Sequence, residues 1–360
     1  MNPSIGRAQA FAGRFGLGCP VLLAPMAGVP SVALSAAVAA AGGMGALGAL
    51  LMEPDAITDW AQRYRSATAG SGSPLQINLW VPDPPPQRDA AHEAGLRGFL
   101  GRFGPAVPAE AADARPPDFA AQCEAVLAAR PLAMSSIMGL YPPGFVSRLK
   151  AAGIAWFANV TTVAEARAAE AAGADVIVAQ GAEAGGHRGA FDATRAQDES
   201  VGLFALLPQV VDAVRVPVVA TGGVADARGA AAALLLGASA VQLGTALLRC
   251  PEAGIAAAWA AGLDGLAAEG TRLTRAFSGR WGRAIGTRYV QAAAAPDAPQ
   301  PAPYPVQRGL TAAMRKAAEA EGDLQRMQAW AGQGAGLSRA APAAAVVGGL
   351  WAGVQTLLAG

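Results

Sequence analysis

Two histidines occur in the 360 residues, and one of them, His187, stands where a titratable side chain could do chemistry. It lies in the stretch 176–191, VIVAQGAEAGGHRGAF. The run Val176-Ile177-Val178-Ala179 reads as a strand buried on both faces. It breaks into a loop holding Gly181, Gly185, Gly186 and Gly189, more glycine than one turn requires. An imidazole exchanges a proton near neutral pH, so His187 is the candidate catalytic residue. His92, the other histidine, sits in AHEAGLRGFLGRF, which reads as a solvated helix. Glu183 beside the loop is expected to face solvent or pair with Arg188.

Two later loops carry the second signal. Thr221-Gly222-Gly223 follows one apolar run, and Gln242-Leu243-Gly244-Thr245 closes the next. Glycine lets a backbone approach a phosphate closely, N–H groups and a helix N-terminus bind it, and the Thr245 hydroxyl adds a bond. No metal-ligand spacing accompanies them, so a phosphorylated cofactor or substrate is implied. Flavin mononucleotide would need polar partners at its pyrimidine edge and apolar cover elsewhere. Asn78 and Gln180 end two strands with amides that both donate and accept. Ala24-Pro25-Met26-Ala27-Gly28 offers backbone groups on a flat apolar surface. Tyr304, in YPVQR, reaches a substrate only if its connector folds back over the site.

These residues need a frame that brings strand ends together. Eight apolar runs qualify as strands: 21–26, 44–50, 75–80, 132–137, 154–160, 176–180, 217–221 and 240–244. Helical patterns separate them at 31–41, 54–67, 119–129, 143–152, 163–172, 201–214 and 226–236. Gly42, Gly153, Gly173 and Gly237 each close a helix, as a left-handed C′ residue does. Thr162 with Glu165 forms a capping box. Eight βα repeats with short loops predict an α/β fold, a closed (β/α)8 TIM barrel whose chemistry sits at the strand C-termini. An open doubly wound sheet would want a GxGxxG turn after the first strand, and APMAGVPS is not one.

Two regions fall outside the repeat. The insertion 82–117 is proline-rich, with helix-forming sequence at 89–103, and reads as a lid over the site or as a disordered segment. From Pro251 onward, a connector at 292–305 and helix-prone sequence at 311–330 suggest a smaller helical subdomain. The expected division is therefore a barrel over 1–250, with its insertion at 82–117, and a helical subdomain over 251–360 packed on it.

Composition removes other classes. The chain is 53% hydrophobic and 15% charged with net charge +1, which gives no electrostatic case for nucleic acid or an anionic membrane. Cys19, Cys123 and Cys250 are far apart and read as reduced packing residues of a cytoplasmic protein. The stretch 340–360 reaches spanning length. Its stripe of Leu350, Trp351, Val354, Leu357 and Leu358 suits a helix docked on the body better.

APMAG, NLWVP, AQGAEAGGHRG, ATGGVAD and QLGT, in order, resemble the nitronate monooxygenases, formerly called 2-nitropropane dioxygenases. AFSGR (276–280), YPVQR and WAGQGAGL (330–337) extend the likeness over nearly the whole chain. The GGH loop is also similar to that of FMN-dependent enoyl-acyl-carrier-protein reductases. The resemblance implies non-covalent FMN, and oxidation of alkyl nitronates such as propionate 3-nitronate by O2 to a carbonyl compound and nitrite or nitrate. It implies Asn78, Gln180, Gly185, Gly223, Gln242, Leu243, Gly244 and Thr245 as FMN contacts; the reading of the residues adds Ala24, Pro25, Met26 and Gly222, and no metal is expected. His187 then takes the α-proton of a neutral nitroalkane or steadies the nitronate. PLAMSSIMG and the 82–117 insertion depart from the family pattern. An NAD(P)H-dependent quinone or enoyl-thioester reductase on the same barrel is the alternative, and a non-catalytic flavin-binding barrel a third reading. A homodimer is the assembly left open.

Overall fold

The structure, a computed structural model, describes residues 2–29, 31–68 and 73–359. Its centre is an eight-stranded parallel sheet of β1 (Val21–Leu23), β2 (Gly45–Gly48), β3 (Leu75–Trp80), β4 (Ala133–Ile137), β5 (Ala155–Val160), β6 (Val176–Gln180), β8 (Val218–Thr221) and β9 (Ala240–Leu243). The strand order is β1-β9-β8-β6-β5-β4-β3-β2. A bridge between Leu22 and Met44 joins the two ends and closes the barrel. These are the eight runs read from sequence, trimmed by up to three residues at an end. Apolar residues fill them because parallel strands are covered on both faces.

The outer layer is α2 (Val32–Ala40), α3 (Pro54–Ala67), α5 (Phe119–Ala129), α6 (Pro143–Ala151), α7 (Val163–Ala171), α8 (Leu203–Ala213) and α9 (Ala227–Leu235). Side chains of Ser31, Asp118, Thr162 and Asp226 cap four of them by accepting a first-turn N–H, the bond such residues supply best. Gly42, Gly153, Gly173 and Gly237 take φ of 86°, 70°, 98° and 109°, as expected of C′ glycines. The capping box is only half made. Thr162 accepts from Glu165 N at 3.1 Å, but the Glu165 carboxylate turns to Thr161 N at 2.6 Å and Phe191 N at 2.7 Å. It thereby ties the end of the His187 loop to α7.

Helix α1 (Pro3–Arg14) has no counterpart in the sequence reading. Phe11 and Phe15 on and after it enter the N-terminal end of the barrel and pack on Phe157 at centroid distances of 6.5 and 5.2 Å. They join Leu22, Met44, Val176, Val178 and Val219 in one apolar cluster. The bottom is plugged, and only the C-terminal end of the strands is open.

The rest of the chain builds over that open end. A small antiparallel sheet joins β10 (Thr271–Thr274) to β11 (Gly282–Ile285), and β11 to the two-residue β7 (Gly186–His187). Short helices surround it: α4 (Ala90–Leu100), α10 (Ala257–Gly262), α11 (Arg288–Ala292), α12 (Val306–Leu310) and α13 (Ala312–Glu321). The boundary at residue 250 is not where packing divides the chain. Leu96, Leu100, Val107 and Ala112 of the insertion share a core with Phe277, Tyr289, Leu310 and Met314. Conversely, α14 (Ala343–Leu358) returns to the barrel, where Val347, Leu350, Val354 and Leu358 join the main core beside α2 and α9. Leu357 of the expected stripe points out, 53% exposed. The insertion is thus a packed part of the upper layer, because its apolar residues at 96 and 100 share one helix face. No helix among the described residues is long and apolar enough to cross a membrane.

Candidate active site

A cavity of about 340 Å³ opens at the C-terminal ends of the barrel strands. Its wall includes Ala24, Pro25, Met26, Asn78, Gln180, Gly185, His187, Gly222, Gly223, Gln242, Gly244 and Thr245. Every site residue expected from sequence is therefore brought to one place, except Leu243. Alternate side chains of a strand face opposite ways. Gln242 points into the barrel, whereas Leu243 is fully buried in the outer core and gives only its carbonyl, which accepts from Ala24 N at 2.8 Å.

One end of the cavity is a cradle of backbone. Gly222 and Gly223 hold φ of 107° and 73°, a region that side-chain-bearing residues rarely adopt. A Cβ on Gly185 would lie 2.5 Å from Gly332 N and 2.8 Å from Thr245 Oγ1. A Cβ on Gly334 would lie 2.9 Å from Gly223 O. Thr245 Oγ1 accepts from Gly332 N at 3.0 Å, which leaves its own proton for a ligand. The Gly185 and Gly332 loops thus meet at one hydroxyl, with Gly223 against Gly334 beside them, and the donor set of N–H groups and O–H fits a phosphate. Gly332 and Gly334 come from WAGQGAGL, far along the chain.

Amides line the floor. Asn78 Nδ2 donates to Ser135 O and Oγ at 3.1 and 3.0 Å, and Gln242 Oε1 accepts from Gln76 Nε2 at 3.1 Å. Gln180 is turned to its own loop. Its Nε2 donates to His187 O at 3.1 Å and its Oε1 accepts from Gly189 N at 2.8 Å, so it braces the segment that carries His187. Asn159 Nδ2, also in the wall, is buried with no protein partner.

His187 lines the same cavity. Pairing of β7 with β11 sets it against Gly282. The rings of Trp80 and Trp330 flank it at 4.7 and 4.8 Å. Its Nε2 lies 2.7 Å from Ser278 Oγ. Ser278 belongs to AFSGR, a turn strapped down by Thr311 Oγ1 donating to Phe277 O at 2.7 Å and Gln307 Nε2 to Ala276 O at 2.8 Å. Burial, then the charges of Arg280 and Arg308, push the imidazole pKa down to about 3. His187 is half-buried and lines the cavity, and an anion bound beside the ring would raise its pKa again. At neutral pH the ring is uncharged.

Glu183 neither faces solvent nor pairs with Arg188. Its carboxylate accepts from Leu203 N at 2.9 Å and caps α8, while Arg188 is buried and donates to Gly181 O at 2.6 Å. Tyr304 does fold back: its ring packs on Trp80 at 5.4 Å, outside the main cavity wall. His92 meets Gln300 O at 2.7 Å, at the edge of the upper layer. Ser278, Trp80, Trp330 and Arg308 were not read as site residues. AFSGR, NLWVP, WAGQGAGL and YPVQR carry all four inside family motifs, but a lone Ser, Trp or Arg has no spacing that marks it.

A family model described as nitronate monooxygenase matches residues 14–353. The chain belongs to the nitronate monooxygenase family. It is accordingly an oxidoreductase. A nitronate monooxygenase of Paraburkholderia phytofirmans is 40% identical over 338 residues, covering 92% of this chain and 91% of that protein. One from Pseudomonas aeruginosa is 39% identical, covering 93% and 95%. Among solved structures, a nitroalkane oxidase from Streptomyces ansochromogenes superposes with a TM-score of 0.85 at 36% identity, over 96% of this chain and 98% of that one. FabK from Thermotoga maritima superposes at 0.75 with 24% identity, over 97% of each chain; this likeness is one of fold.

Proposed function

We propose that the chain is an FMN-dependent nitronate monooxygenase that oxidises alkyl nitronates with O2 to a carbonyl compound and nitrite or nitrate. The observation that carries this reading is an uncharged His187, flanked by two indoles and two arginines, in the same cavity as the glycine cradle around Thr245. Gly185, Gly222, Gly223, Gly244 and Thr245 would hold the FMN phosphate. Asn78, Gln180 and Gln242, with Ala24-Pro25-Met26, would border its ring. Bound FMN would supply the electron-accepting group between substrate and O2, so no pyridine nucleotide would be required.

A nitronate is an anion with its charge spread over two oxygens. Positive charge from Arg280 and Arg308 disfavours imidazolium but favours such an anion. With Nε2 assigned as the acceptor of the Ser278 hydroxyl proton, the neutral ring carries its one proton on Nδ1, which would donate to a nitronate oxygen. The low pKa makes His187 a weak base toward an un-ionised nitroalkane. We therefore assign preformed nitronates as the substrate, with His187 orienting them.

Oxygen uptake and nitrite release with propyl 1-nitronate and with 1-nitropropane test this assignment. The nitronate is expected to react far faster, with a kcat/KM that shows no His187 titration between about pH 5 and about pH 8, because the ring of the free enzyme stays neutral there. His187→Asn keeps the flavin and loses residual nitroalkane turnover more completely than nitronate turnover. Equal rates on both substrates in the wild type would refute the assignment.

A further inference from the structure

Arg188 is 2% exposed, and its Nε is buried without a protein partner. Its guanidinium donates to Gly181 O at 2.6 Å. Arg283, half-buried on β11, reaches the same loop. Its Nε donates to Ala182 O at 3.0 Å, and a terminal nitrogen donates to Thr271 Oγ1 at 3.1 Å. Neither guanidinium forms an ion pair among the described residues. Consecutive carbonyls of the loop after β6 thus each accept from a cation. That loop is one wall of the glycine cradle. A Cβ on Gly222 would lie 3.1 Å from Gly181 O, so the Gly181 carbonyl stands between Arg188 and the Gly222 turn. The charges of Glu165 and Glu183 bear on Arg188, and that of Glu183 on Arg283. Both carboxylates are engaged by backbone N–H groups, Glu165 by those of Thr161 and Phe191 and Glu183 by that of Leu203. Burial, then the charge of Arg283, lowers the Arg188 pKa to about 10, so the group is still protonated at neutral pH.

A phosphate monoester carries about two negative charges at neutral pH. The cradle itself offers only N–H dipoles and a hydroxyl, which carry partial charge. In a site withdrawn from water, a whole charge acts over several ångströms with little screening. A buried guanidinium without an ion pair is costly, and an anion on the far side of the loop offsets that cost. We propose that Arg188 and Arg283 are the counter-charge of the FMN phosphate, acting across the peptide groups at 181 and 182 without touching it. The inference rests on the FMN reading of the cradle. It divides the work there: the glycines give the shape, and two arginines behind the loop hold it in place and balance the charge.

The test compares the Kd of FMN with that of riboflavin, which lacks the phosphate, for the full chain stripped of flavin. The wild type is expected to hold FMN far more tightly. Arg283→Gln weakens FMN about tenfold and riboflavin by less than about twofold. Arg283→Lys, which keeps the charge, retains most of the FMN affinity. Arg188→Gln acts in the same sense; its fully buried site makes the half-buried Arg283 the first variant to measure. FMN affinity unchanged in Arg283→Gln overturns the proposal. Equal weakening of both flavins also overturns it, since Arg283 would then only brace the loop. A wild type that does not distinguish FMN from riboflavin would refute the phosphate reading of the cradle, and the proposal with it.

Discussion

Gly185 has no room for a β-carbon. One placed there would press on Gly332 N at 2.5 Å and Thr245 Oγ1 at 2.8 Å, neither of which is the loose end of a flexible side chain. Gly185→Ala is expected to fold, since the clash lies in loops above the barrel, but to bind FMN at least about tenfold more weakly. Titration of the stripped protein with FMN measures this; wild-type affinity would remove Gly185 from the cradle. At this scale the sequence was most legible where residue type alone restricts geometry. Paired glycines after a strand and a histidine in a glycine loop announce themselves. Gln180 was legible as a polar strand end, but not as the brace of its own loop, because the bond to Gly189 appears only once the loop turns back. Ser278 and Arg308 were illegible for a related reason. Each has meaning only beside His187, 91 and 121 residues away in the chain.

Among the elements, the barrel strands could be read because double burial imposes continuous apolar runs. The sheet that fixes His187 could not. Strands of two and four residues, GH, TRLT and GRAI, carry no periodicity and pair only because the fold presents them to one another. Helix α1 was likewise passed over, although its role is physical. Phe11 is 3% exposed and packs at a tilt on Phe15, ring centroids 4.9 Å apart, in the barrel floor. Phe11→Ala is expected to cost about 3–5 kcal/mol, read as a lower denaturation midpoint, while FMN affinity at 25 °C stays near that of the wild type because the cradle lies at the opposite end. A stability unchanged within about 0.5 kcal/mol would mean that the plug is not part of the cooperative core.

For the whole molecule, the barrel and the upper layer divide the labour. The barrel supplies strand ends and the glycine loops after β6, β8 and β9. The upper layer supplies Ser278, Trp330 and Arg308, and closes over the site with the 82–117 insertion packed into its own core. Sequence order hid this division, since the insertion and the 276–314 segment meet only in three dimensions. Under the proposed function, substrate itself, and not a pyridine nucleotide, delivers electrons in this cavity. The visible spectrum of the FMN-loaded protein, recorded without oxygen while propyl 1-nitronate and, separately, NADH are added, tests that claim most directly. Nitronate is expected to remove the oxidised-flavin band, air to restore it, and NADH to leave it unchanged. A band that ignores nitronate and disappears with NADH would contradict the claim.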